Sequence, residues 1–141
     1  MRIAEVGRQL DLHAQRVDFT LGWRRLADAA AGNEDALLAL FAEPQAPRDW
    51  LARWRARCDS EGAAAGEGRA GRMRKASPWI IPRNHRVEEA LEAASGHDDL
   101  GAFERLLSAL GHAYEERPQD EPFAQPAPAA VTACYQTFCG T

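Results

Sequence analysis

Proline cannot donate a backbone hydrogen bond and clashes with the preceding helical turn, so its positions limit the helices this chain can form. Pro44 and Pro47, then Pro78 and Pro82, break the sequence twice, and Pro118, Pro122, Pro126 and Pro128 spread through its end. Between the breaks, apolar residues recur at helical rather than alternating spacing. Trp23, Leu26, Ala27 and Ala30 follow the i, i+3, i+4, i+7 pattern of one helical face, and Gly32 stands where a C-terminal cap belongs. Asn33 is placed to cap a short segment carrying Leu37, Leu38, Leu40 and Phe41. Pro47 suits the first turn of the next helix, in which Trp50, Leu51, Trp54 and Cys58 share a face while Arg53, Arg55 and Arg57 point largely to solvent.

The remaining segments are read in the same way. Ala4 to Val17 predicts a weakly amphipathic helix that begins without a convincing cap. The Gly- and Ala-rich run at 61–71 has no periodicity and predicts a flexible loop, and Arg72, Arg74 and Lys75 after it form a basic cluster on solvated surface. Residues 77–83 predict an extended apolar linker pressed onto the core through Trp79, Ile80 and Ile81. Asn84 opens a helix with Val87, Ala90, Leu91 and Ala94 on one face, closed by Gly96. Asp98 opens another, carrying Leu100, Phe103, Leu106, Leu107 and Leu110 and ending at Gly111. The expectation is an all-α chain of short helices and helical hairpins: a helical region over 1–111, then an extended Pro-rich tail over 112–141 that cannot make a helix.

Charge and cysteine usage narrow the function classes. A net charge of -4 gives no field to draw in nucleic-acid phosphates or an anionic membrane. No apolar stretch reaches the roughly 20 residues a membrane helix needs, and no signal-peptide pattern opens the chain. The expectation is a soluble cytoplasmic protein with no nucleic-acid and no membrane partner. Three cysteines, Cys58, Cys134 and Cys139, are too sparse for the disulfide framework of a secreted scaffold, so reduced thiols are expected.

The catalytic inventory is thin. Gly62, Gly66, Gly68 and Gly71 follow no strand and form no phosphate loop. His13, His85, His97 and His112 lie in separate elements without the spacing of a helical zinc motif, and no serine has a triad pattern. Asp98 and Asp99 at a helix start complement its dipole without any acid–base role. Arg83, Asn84 and His85 make the most distinctive polar triplet: either an anion grip at a helix start, or Asn84 as cap with Arg83 paired to an acidic neighbour. Cys134 and Cys139, with four residues between them near the end, are candidate redox thiols, although this spacing is not a CxxC motif.

Particular strings resemble a known family. Arg16-Val17-Asp18-Phe19-Thr20 with Trp23-Arg24-Arg25-Leu26, Trp50-Leu51-Ala52-Arg53-Trp54, and the run from Ser77 through Pro82-Arg83-Asn84-His85 to Ala90 resemble the C-terminal third of the SelO/YdiU family. Tyr114-Glu115-Glu116-Arg117-Pro118, Phe123-Ala124 and Thr137-Phe138-Cys139-Gly140-Thr141 are similar to that family's closing pattern in many bacterial members. The resemblance implies a kinase-like fold that binds ATP in an inverted orientation and, with Mg2+ or Mn2+, transfers AMP to protein Ser, Thr or Tyr hydroxyls.

The family's nucleotide-gripping, catalytic and metal-binding residues lie upstream of the matched part, so the resemblance assigns this chain no catalytic, cofactor-binding or metal-binding residue. It carries over Arg83, Asn84 and His85 as a structural signature, and Cys139 at a position where some members hold selenocysteine within a CxxU arrangement. Gln136 stands here in place of that arrangement's first cysteine. The implied function is therefore the C-terminal portion of a protein adenylyltransferase, inactive alone, whose partner is the family's N-terminal catalytic region and, in the whole enzyme, protein substrates. The competing reading is an autonomous small helical protein-interaction module.

Overall fold

A computed structural model describes Leu12, residues 16–61 and residues 66–134, with 66, 67 and 132–134 described by backbone alone. The described residues form helices and connecting turns, with no strand among them. The chain divides into two compact units, Met1–Trp79 and Ile80–Thr141. The boundary between these units falls inside the 77–83 linker.

In the first unit α1 spans Phe19–Ala30, α2 Asp35–Leu38, α3 Gln45–Ser60 and α4 Gly66–Ala76. The Asp18 carboxylate caps α1 by accepting from the Leu21 N–H at 2.9 Å. At the other end the Asn33 N–H reaches the Asp28 carbonyl and the Gly32 N–H the Ala29 carbonyl, each at 3.0 Å. This paired closure of orphan carbonyls turns the chain through Gly32, whose φ is +101°. Asn33 is thus spent ending α1 through its backbone. The cap position of α2 falls to Glu34, which makes no side-chain cap bond.

The core of this unit gathers Leu12, Val17, Leu26, Ala29, Leu37, Leu38, Phe41, Trp50 and Leu51, with Trp23, Leu40, Trp54 and Met73 packed against it. Pro47, in the first turn of α3, is buried as well. Trp50 and Trp54 stack one turn apart with ring centroids at 5.7 Å. The helix predicted over 4–17 lies almost wholly outside the described residues.

Helix α4 occupies 66–76, so the loop predicted at 61–71 is helical from residue 66. Three glycines make this stretch a poor helix by propensity, but tertiary contacts override that preference. Ala70 is buried and Met73 packs on the core one turn later. Arg69 donates to the Glu61 carboxylate at 2.7 Å and to the Cys58 carbonyl at 3.3 Å, tying α4 back to the end of α3. Arg74, expected on solvated surface, pairs with Asp28 on α1.

In the second unit α5 spans Asn84–His97, α6 Gly101–Gly111, α7 Glu121–Ala124 and α8 Ala129–Cys134, with a 3-10 turn at Pro118–Asp120. Helices α5 and α6 pack as a pair. Asp98, expected to open α6, instead ends α5 in the left-handed conformation at φ +53°, and Gly96 lies inside α5. The Asp99 carboxylate then holds the Gly101 N–H at 2.8 Å and starts α6.

The tail expected to be extended over 112–141 carries α7 and α8. Its prolines sit where a helix tolerates them: Pro118 and Pro122 in first turns and Pro128 just before Ala129. Among the described residues of this unit, Ile80, Ala90, Leu106, Ala109, Asp120 and Ala124 are buried. Asp120 is held by Arg117 through an i, i+3 ion pair.

Candidate functional site

The Arg83, Asn84 and His85 triplet lies where the linker enters α5. The Ile80 N–H donates to the Ala113 carbonyl at 3.1 Å, which pins the linker beside the end of α6. Arg83 is extended, at φ -76° and ψ 131°, and its carbonyl accepts the N–H groups of Arg86 and Val87 at 2.9 and 3.0 Å. Arg83 is therefore the half-in residue that starts the helix. Asn84, expected as the cap, is instead the first helical residue, and no side chain caps this end.

The side chains of the triplet diverge. Arg83 Nη2 donates to the Ala124 carbonyl at 2.9 Å, and Arg86, one turn on, donates through Nη2 to the Pro122 carbonyl at 3.1 Å. Arg86 Nη1 also pairs with Glu89 at 2.8 Å. Two guanidinium groups on one side of α5 thus hold carbonyls of α7, a helix too short to satisfy its own. Sequence reasoning singled out Arg83 and missed Arg86, although their i, i+3 spacing was the available signal.

His85 turns instead toward a hollow of about 550 Å³ bounded by Glu88, Glu89 and Glu92 of α5 and by Pro126 and Pro128 of the tail. Partial burial, then the neighbouring Arg86 charge, lowers the His85 pKa below its ordinary value. Both effects favour the neutral imidazole. Three carboxylates around the hollow outnumber the one arginine lining it, Arg86, which already serves Glu89 and the Pro122 carbonyl. The triplet does not fit a nucleotide's phosphates. Among the described residues no group of three His, Cys, Asp or Glu could hold a metal ion.

Cys58 borders a second hollow, of about 340 Å³, with Trp54, Asp59 and Arg69. Burial pushes its thiol pKa up, and Arg69 offsets that only in part. A protonated thiol is a poor nucleophile, so this environment does not activate Cys58. Cys139 and the side chain of Cys134 lie outside the described residues. Among the described residues no helix is long and apolar enough to cross a membrane.

No family model matches the chain. Individual proteins do. It is 46% identical over 133 residues to the protein nucleotidyltransferase YdiU of Rhizobium etli (strain CIAT 652), covering 92% of this chain and 26% of that protein. The YdiU protein nucleotidyltransferase of Cereibacter sphaeroides (strain ATCC 17023) is 48% identical over 130 residues, or 92% of this chain and 25% of that protein. Its counterpart in Chromobacterium violaceum is 47% identical over 130 residues, or 92% and 27%. The chain therefore spans about a quarter of the length of the curated relatives it matches.

Proposed function

The chain belongs to the SelO/YdiU family, matching the C-terminal region of its nucleotidyltransferases, and we propose that it is the helical support of a protein adenylyltransferase. In this reading the whole enzyme transfers AMP from ATP to protein Ser, Thr or Tyr hydroxyls, and the groups that bind nucleotide and metal lie in the family's N-terminal region. This chain supplies none of them and is inactive alone. A cytoplasmic location goes with this reading.

The observation that carries the proposal is 46% identity spread over 92% of the chain, with only 26% of the relative accounted for. The geometry of the triplet supports it: Arg83 and Arg86 hold the α7 backbone rather than a ligand. The redox role that the resemblance implies for Cys139 is part of the proposal, with Cys139 paired to a thiol of the catalytic region. Equal alkylation of Cys139 under oxidising and reducing conditions in a full-length family protein would remove that part.

The central test incubates the chain with labelled ATP, Mg2+ or Mn2+ and a protein acceptor. Label on the acceptor should not exceed the blank. Robust transfer by these 141 residues overturns the assignment of catalysis to another part of the enzyme.

A further inference from the structure

Helix α6 is apolar over more of its circumference than α5 covers. At about 100° per residue, Ala102, Leu106 and Ala109 occupy one arc, and Leu106 and Ala109 are buried there. Leu100, Phe103 and Leu107 follow at i, i+3, i+7 on the adjoining arc, with Leu110 between the two sets. Those three are 56%, 44% and 58% exposed. The stripe contains no charged residue, and Glu104 and Ser108 border it on the far side. A surface helix ordinarily turns an apolar stripe toward a core, and this one stays exposed within the second unit.

We propose that the Leu100, Phe103 and Leu107 stripe is the face on which the second unit docks to the catalytic portion of the nucleotidyltransferase, in an apolar groove of that portion. This rests on the reading that the chain works as part of such an enzyme. Three half-exposed side chains offer a few hundred Å² at most, far below the roughly 800 Å² per partner of a stable association between separate molecules. That argues against a second copy or a freely diffusing partner. A contact between parts of one polypeptide needs much less area, because covalent connection holds the surfaces at an effective concentration in the mM range. About three quarters of the relatives' length lies outside the match and can supply such a surface.

The experiment compares hydroxyl-radical labelling of the three side chains in the isolated chain and in a chimera. In the chimera this chain replaces the matched residues of the Cereibacter sphaeroides protein, to which it is 48% identical. Labelling of Leu100, Phe103 and Leu107 should fall severalfold in the chimera, and the double variant F103E/L107E should restore that of Leu100. Equal labelling in both proteins overturns the proposal. The same double variant in the isolated chain should keep its helicity and melting temperature, and unfolding there shows the stripe to be core and also overturns it.

Sedimentation covers a second copy: a dimer of the isolated chain that F103E/L107E dissolves assigns the stripe to self-association and sinks docking. If the chimera does not fold, the isolated chain is titrated in excess into the Cereibacter sphaeroides protein lacking its matched region. Protection of the stripe there supports the proposal, and its absence refutes it. AMP transfer separates the two readings. A protected but inactive chimera fails the functional reading and leaves docking standing, whereas an active chimera with undiminished labelling does the reverse.

Discussion

Arg74 of α4 reaches Asp28 of α1 with 2.8 Å between Nη2 and Oδ1, a contact between residues 46 positions apart in sequence. Arg24, one turn before Asp28 on α1, answers it by donating through Nη1 to the carbonyls of Arg74 and Ser77, each at 3.2 Å. Each helix thus gives the other an arginine, and Arg24 satisfies carbonyls that the end of α4 leaves open. Arg24 is almost wholly buried, at 4% exposure, so its stem packs while its head bonds.

The acid limb of the stability curve should carry the signature of Asp28. Burial alone would raise its pKa, but hydrogen bonds from Arg74 and Arg25, with their charges, prevail and hold the carboxyl below its ordinary value of 3.8. A carboxylate with a depressed folded pKa contributes stability that is fully present above the unfolded value and is lost as pH falls through the folded one. Asp28→Asn should cost about 1–2 kcal/mol near neutral pH, kept modest by the partial solvation of Arg74. Urea melts between pH 6 and pH 2 should show the difference between the two proteins shrinking below about pH 4.

Two glycines should respond to alanine with opposite signs. At Gly32 a Cβ would meet nothing within 4 Å, but φ is +101°, so Gly32→Ala should destabilise by about 1–2 kcal/mol through backbone strain alone. At Gly71, inside α4, a Cβ also meets nothing within 4 Å and φ is not positive. Gly71→Ala should therefore stabilise by about 0.5–1 kcal/mol. Thermal melts of the two single variants check both signs.

Arg83 and Arg86 should hold α7 in place without building α5. Replacing either by Ala should cost about 1–2 kcal/mol and raise amide exchange at Phe123, Ala124 and Gln125 while leaving the middle of α5 protected. Hydrogen exchange read by mass spectrometry distinguishes this from general unfolding. Uniform loss of protection along α5 would show that these arginines are needed for the helix itself.

Cys58 should be slow to alkylate in the native protein. Burial raises its thiol pKa and outweighs the opposing charge of Arg69, so less thiolate is present at pH 8 than in a free cysteine. Peptide mapping after brief iodoacetamide treatment should find Cys58 largely unmodified, and fully modified once the chain is unfolded in urea. Rapid native modification would show the thiol to be activated.

Local pattern carried the sequence a considerable distance. The faces of α1 and α3, the positions of α5 and α6 and the all-helical class are visible in it, because apolar spacing at i, i+3 and i+4 is a property of neighbouring residues. Gly32 was legible for the same reason. Caps were harder: Asn33, Asn84 and Asp98 are all good capping residues, and choosing among adjacent candidates depends on where each carbonyl finds its donor. At the Asp98 turn, Leu100 holds the cap position and the Asp99 carboxylate before it accepts from the Gly101 N–H.

By itself the sequence determined that the chain is helical and which family it resembles through the strings around Trp23, Trp54 and Pro82 to His85. Tertiary structure alone decided that 66–76 is helix despite its glycines and that the Pro-rich tail carries α7 and α8. It also decided that Arg24, Arg74, Arg83 and Arg86 serve the fold. The reason is distance along the chain: the partners of these four arginines lie 50 and 53, 46, 41 and 36 positions away. Propensity sums over neighbours, whereas these segments are ordered by groups that only the folded chain brings near.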